Sequence, residues 1–217
     1  MPDDGGMSVS DSSSVSSRFT LRPYRPGDLL ALYDVCLRTG DSGADATVLY
    51  RDPLLLGHYY AAPYATLCPE TTFVLDEGVR VQGYVLGVPD SQDFAARCEA
   101  EWFPVLRSLY PLPAAADTSR DARMVRAFHR GIPAPEAEWA ARYPAHLHID
   151  LMPVAQGGGY GRRLMQSLFA SLEARGAQGV HLGVGLRNLN AQGFYLRLGF
   201  QELERGEASV TYGLRFD

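Results

Sequence analysis

From Arg18 onward, apolar and polar positions recur in two different periods, and the switches between them divide the chain into strands and helices. RFTLRPY alternates in period two, as a strand does, and PGD followed by LLALYDVCLRT predicts a capped amphipathic helix starting after Asp28. Asp52 then Pro53 is a second helix start, leading into LLLGHYYAA. TTFVLDE and VRVQGYVLGVP, separated by a short Gly-containing turn, predict a hairpin. Residues 90–144 hold no strand pattern. Instead SQDFAARCEAEWFPVLRSLY, DTSRDARMVRAFHR and PEAEWAARY predict helices, so this stretch reads as a helical insertion between the third and fourth strands.

The C-terminal third is more regular. AHLHIDLMP predicts a strand stopped by Pro153, and a glycine turn then leads into YGRRLMQSLFASLEARG. There Leu164, Met165, Leu168, Phe169 and Leu172 recur at helical spacing, and Gly176 closes the element. VHLGVGL predicts a strand, NAQGFYLRLGF a short helix with its terminating glycine, and the last residues one or two strands. The expected class is α/β (α+β): a mixed central sheet flanked by helices.

Composition adds limits. The first 17 residues are Ser-rich and too poor in apolar groups to offset their ordering entropy, so a disordered leader is expected over residues 1–17 and one domain over residues 18–217. No run of about 18 apolar residues could span a bilayer, and the start has neither the basic nor the apolar region of a secretion signal. The expected setting is cytoplasmic, with no membrane partner. Cys36, Cys68 and Cys98 have no paired spacing, which suits buried fillers in a reducing compartment better than disulfides or zinc ligands. A formal charge of −5 without a basic stripe argues against nucleic acid. All 20 basic residues are arginine, so no lysine side chain of this chain can be modified.

The run Gln156, Gly157, Gly158, Gly159, Tyr160, Gly161, between strand and helix, points backbone N–H groups outward with the helix dipole behind them, which suits phosphate. Spacing narrows the choice. A P-loop needs Lys then Ser or Thr after its last glycine, and this chain has Arg162 and Arg163. A dinucleotide fingerprint needs GxGxxG in an early βαβ unit, and the glycines here neither complete it nor come early.

The turn resembles the coenzyme A turn of the GNAT acetyltransferase superfamily: Gln156, Gly159 and Gly161 meet its pattern, with Pro153 upstream. Asn188, Ala191, Tyr195, Gly199 and Phe200 stand at the spacing of the family's second signature. A narrower resemblance, through YRPGDLLALYDVC, WFPVLRSLYP, HIDLMP and FYLRLGF, is to the acetyltransferase-like C-terminal domain of O-GlcNAcase. The expectation is a stand-alone, bacterial-type chain without the glycosidase part. The animal domain has a degenerate coenzyme A turn, whereas this one is intact.

The resemblance implies acetyl-CoA as cofactor and an amine as acceptor, and the position of the helical insertion, where it would narrow or cover the acceptor site, favours a small molecule over a protein tail. It implies that backbone groups of Leu151, Met152, Pro153 and Val154 hold the pantetheine and thioester carbonyl. Amides from Gln156 through Gly157, Gly158, Gly159, Tyr160 and Gly161 to Arg162 would hold the pyrophosphate, with a Cβ at Gly159 or Gly161 blocking its approach. Asn188 is implied as a cofactor contact, with an ordinary N-cap as its other reading, and Tyr195 as general acid, with a surface hydroxyl as the other.

Strand alternation carries the general-base candidate. His146, His148 and Asp150 share one face of their strand while Leu147, Ile149 and Leu151 share the other, and ionisable groups there must line a cavity or be paired. Asp150 is the candidate base. Two histidines so placed can share a metal ion, but the resemblance calls for none, and a hydrogen-bonded structural network is the other reading. Tyr33, Asp41, Asp45 and Tyr50, with His148, form an acidic and aromatic set suited to an amino-bearing acceptor; a solvated polar loop is the plain alternative for the first four. Three functions remain open: an N-acetyltransferase acting by direct attack on the thioester, a catalytically silent acetyl-CoA-binding module, and an interaction domain without cofactor. The pattern sets no oligomeric state.

Overall fold

The computed structural model describes residues 18–216, so the leader expected over residues 1–17 lies outside the described residues. Strands β1 (Thr20–Pro23), β2 (Thr72–Asp76), β3 (Val81–Val88), β4 (Ala145–Leu151), β5 (Gly179–Gly185), β6 (Gln201–Arg205) and β7 (Ser209–Arg215) form one sheet among these residues, with β7 lying between β5 and β6. Neighbours are antiparallel except β4 and β5, which are parallel.

Period-two alternation sorts the side chains into two cores. Tyr84, Leu86 and Val88 of β3 face a core shared with α1 (Leu29–Thr39), α2 (Leu55–Tyr60) and α3 (Ala62–Leu67). The insertion between β3 and β4 adds α4 (Ser91–Arg97), a π turn at Cys98–Trp102, α5 (Phe103–Leu109) and α6 (Arg120–Arg130) to that side. On the opposite face Val85 and Leu147 meet α7 (Tyr160–Glu173) and α8 (Leu189–Arg197). The apolar stripe of α7 explains its seat: Leu164, Met165, Leu168 and Leu172 are wholly buried, each contributing about 2 kcal/mol by removal from water.

The insertion follows its local signals in two places. The Asp90 carboxylate accepts from the Gln92 and Asp93 N–H groups to start α4, and Ser119 Oγ accepts from Ala122 N–H to start α6. The helix expected over PEAEWAARY does not form; only a 3₁₀ turn, Ala140–Arg142, appears. Pro133 and Pro135 precede it, too few residues follow to nucleate a helix, and Trp139 is drawn away to Glu204 and the His181 ring.

One irregularity positions the site. β3 stays paired with β4 from Val88↔His146 to Gly83↔Leu151, and β5 with β7 over its whole length. Between β4 and β5 the ladder holds only Ala145↔Val180 and His146↔His181. The sheet therefore opens into a wedge toward the C-terminal ends of these two strands, with α7 and α8 on one side and α1 on the other.

Candidate active site

A continuous cleft fills this wedge. Its larger half, about 740 Å³, is lined by Ile149, Leu151 and Ala155, by Gln156, Gly157, Gly159, Gly161 and Arg162 of the glycine turn, and by Asn188, Phe194 and Arg197. The smaller half, about 390 Å³, is lined by Tyr50, Leu56, Tyr60, Met124, His148 and the strand Leu182–Gly185. Thr39, Ser42, Gly43, Ile149, Asp150, Asn188, Ala191 and Tyr195 line both halves and mark their junction.

The glycine turn has a built geometry. Gly159 is the N-cap of α7 with φ +76°, and Gly157 has φ +80°, a region where L side chains are strained. A Cβ on either would meet no protein atom within 4 Å, so the turn is a cradle that a side chain would fill. The first intrahelical bond runs from Arg163 N–H to the Gly159 carbonyl, so the N–H groups of Gly161 and Arg162 precede it and face the helix's positive end. Two guanidinium side chains, Arg162 and Arg197, line the same half. This combination fits an anionic, phosphate-bearing group.

Gly161 serves a purpose other than phosphate approach. A Cβ there would lie 3.2 Å from Leu151 Cδ1 and from two ring carbons of Phe194, so the glycine lets α7 pack against β4 and α8. Gln156 fixes the strand end: its Nε2 donates to the Leu151 carbonyl at 2.9 Å. Met152, Pro153, Val154, Gly158 and Tyr160 do not line the cleft. Met152 is buried and its N–H donates to the Gln82 carbonyl, Val154 is exposed on a 3₁₀ turn, Pro153–Ala155, and Tyr160 sets its ring edge-on to Phe19.

At the junction, Asp150 is part-buried and accepts a 2.6 Å hydrogen bond from the Tyr84 hydroxyl, its cross-strand partner. Burial raises its pKa, opposed by hydrogen bonds from Tyr84 and Thr39. Tyr195 is buried beside Phe194 and Phe200 rather than at the surface. Burial, and then the Asp150 charge, raise its pKa, so its hydroxyl stays protonated. Asn188 caps α8, its Oδ1 accepting from Ala191 N–H, and lines both halves, so the N-cap geometry and the cleft position coincide.

His148 faces the smaller half and is 3.1 Å from the Tyr64 hydroxyl. Burial and the nearby His181 push its pKa down to about 4. Of the expected acceptor set, Tyr50 also lies there. Tyr33, Asp41 and Asp45 do not. Tyr33 is buried against Gly57 with its hydroxyl 2.7 Å from His58 Nδ1; Asp41 pairs outward with Arg120, and Asp45 caps Thr47. Among the described residues no group of three or more His, Cys, Asp or Glu side chains could hold a metal ion.

In the 40–46 loop, sequence reading picked Asp41 and Asp45 but missed Ser42 and Gly43, which at φ +56° and φ +93° turn the chain into the junction. The turn-rich run GDSGAD was the available signal. It missed Tyr84, Phe194 and Arg197 because cross-strand register and helix rotation set their places. Met124 of α6 brings the insertion to the cleft.

A model of the acetyltransferase (GNAT) family matches residues 124–200. The chain belongs to the GNAT acetyltransferase family, whose members use acetyl-CoA as acyl donor. Within it, the solved structure of SsHAT superposes with a TM-score of 0.85 and 41% identity, over 92% of this chain and 98% of that one. Protein O-GlcNAcase of Rattus norvegicus is 25% identical over 193 residues, which are 88% of this chain and 21% of that protein. The chain thus spans about a fifth of the length of the curated relatives it matches. The structure of YncA from Salmonella typhimurium, solved with its cofactor acetyl-CoA, shares the fold at a TM-score of 0.55 and 13% identity, covering 93% of this chain and 95% of that one. No described helix is long and apolar enough to cross a membrane.

Proposed function

We propose that this chain is an N-acetyltransferase that moves an acetyl group from acetyl-CoA to the amine of a small molecule by direct attack. The observation that carries the reading is the cleft itself: a cationic, glycine-cradled half and a smaller half that meet at Asp150 and Tyr195.

Acetyl-CoA supplies the acetyl group as an activated thioester. The N–H groups at the start of α7, with Arg162 and Arg197, suit its phosphates, and the wedge between β4 and β5 suits a narrow chain running toward the junction. Asn188, at the mouth of both halves, is a further contact in this reading. An incoming ammonium must lose a proton, and Asp150, whose basicity burial increases, is placed to take it at a carboxylate oxygen. A departing thiolate needs a proton, and Tyr195 holds one at the junction. Neutral His148 and the ring of Tyr50 belong to the acceptor wall.

The test is to incubate the protein with acetyl-CoA and a library of amines and follow free thiol. The reading predicts release above hydrolysis that Asp150→Asn and Tyr195→Phe both depress. Acetyl-CoA binding by calorimetry, with no release across a broad library, would instead identify a module that holds acetyl-CoA without turnover.

A further inference from the structure

The two halves of the cleft differ in charge, and the smaller half has a polar wall whose proton positions can be worked out. None of the described residues lining it is arginine, whereas the larger half has Arg162 and Arg197, and the chain has no lysine. Asp150 is the one formal charge among the smaller half's described lining residues. Tyr50, Leu56, Tyr60 and Met124 give it an aromatic and apolar wall, beside the neutral polar groups of Thr39, Ser42 and Asn188. An anionic substituent placed there would find no cation to offset its desolvation and would lie beside a carboxylate.

A chain of hydrogen bonds sets the tautomer of His148. Ser91 Oγ donates its one hydrogen to the Pro144 carbonyl at 2.7 Å, so toward His146 Nδ1, also at 2.7 Å, it can only accept. His146 therefore carries its hydrogen on Nδ1. Burial and two neighbouring histidines hold this ring neutral, so its Nε2 is bare and accepts from the Tyr64 hydroxyl at 2.8 Å. With that hydrogen used, Tyr64 Oη accepts from His148 Nε2–H at 3.1 Å. Neutral His148 is then left with a bare Nδ1. Every buried side-chain nitrogen and oxygen among the described residues has a partner, and Nδ1 of His148 has none, so it is open to the cavity its residue lines.

His148 and Asp150 sit two apart on the same face of β4, about 6.6 Å along the strand. That span suits one nitrogen donating hydrogen bonds of about 2.8 Å to an acceptor on each side. We propose that the smaller half is the site of a primary amine on a short apolar or aromatic body with no anionic group, its nitrogen seated between the Asp150 carboxylate and His148 Nδ1. The inference rests on the acetyltransferase reading for its purpose, and on the cleft alone for its selectivity.

The experiment measures binding without turnover. Phenethylamine, phenylalanine and phenethyl alcohol are titrated into protein saturated with coenzyme A and followed by calorimetry. The amine is expected to bind at least roughly ten-fold more tightly than either other compound, since its ammonium makes a charge-assisted hydrogen bond to the Asp150 carboxylate. Equal or tighter binding of phenylalanine overturns the proposal. His148→Phe keeps a ring and removes the lone pair; it is expected to cost the amine a similar factor and leave the alcohol unchanged. Nitrogen-15 spectra of histidine-labelled protein check the wild type directly: His148 should be the Nε2–H tautomer, with Nδ1 shifting when amine is added. An Nδ1–H tautomer overturns the proposal whatever the variant does. Selective amine binding without acetylation of any amine would sink the transferase reading alone, whereas equal acetylation of phenethylamine and phenylalanine would sink only this inference.

Discussion

Burial shifts Asp150 and His148 in opposite directions, and their titrations separate function from stability. Burial raises the Asp150 pKa above its ordinary 3.8, so this group favours the fold when protonated, and that contribution is lost as pH rises through the folded value. At neutral pH the ionised carboxylate is a net cost. Asp150→Asn is therefore expected to be at least as stable as the parent in thermal denaturation at pH 8, while slowing amine acetylation by about a hundred-fold or more. A marked fall in Tm would show the carboxylate to be structural. His148 shifts the opposite way, from 6.5 to about 4, as a buried base does. Its neutral form supports the fold fully above about pH 6.5, and the support is lost progressively as pH falls toward 4. Acid denaturation should be shallower across that window in His148→Gln than in the parent.

The glycine turn and the two strands that part beside it make the site. Gly159→Ala places a side chain at φ +76° and is expected to cost about 1–2 kcal/mol in urea denaturation and to weaken acetyl-CoA binding. Gly161→Val is expected to be more damaging to stability, because its side chain would push into Leu151 and Phe194 where α7, β4 and α8 meet. Equal effects of the two changes would contradict the packing described for Gly161. The period of Leu164, Met165, Leu168 and Leu172, the terminating Gly199 and the alternation of His146 through Leu151 made α7, α8 and β4 legible before any coordinates. The pairing Tyr84↔Asp150 was not legible, because register depends on which strands meet. Nor was the direction of Tyr33, which lies on the buried side of α1 toward His58, away from the cleft. The helix expected over PEAEWAARY failed for a related reason: three alanines favour a helix locally, but Trp139 packs instead against His181 and Glu204.

Across the whole molecule, β4 pairs along β3 and β5 along β7 while β4 and β5 share only two pairs, which leaves room for the cleft. At the far edge the Arg22 guanidinium bridges Asp28 at 2.7 Å and Asp76 at 2.8 Å, tying β1 and β2 to the start of α1. The hydrogen bond from Arg22 holds the Asp28 carboxyl below its usual range, so its contribution is present above pH 3.8 and is lost as pH falls through the lower folded value. Asp28→Asn is expected to cost about 2 kcal/mol of stability and, lying outside the cleft, to leave acetyl-CoA affinity unchanged. The two halves of the cleft meet where β4 and β5 part, which sequence spacing could not reveal because it depends on the sheet's pairing. The most direct measurement is a crystal structure of the chain with acetyl-CoA. The account predicts pyrophosphate oxygens within hydrogen-bond reach of the N–H groups of Gly157, Gly159, Gly161 and Arg162, and the acetyl group at the junction between Asp150 and Tyr195. Pyrophosphate bound away from the glycine turn, or an acetyl group turned out of the wedge, would contradict it.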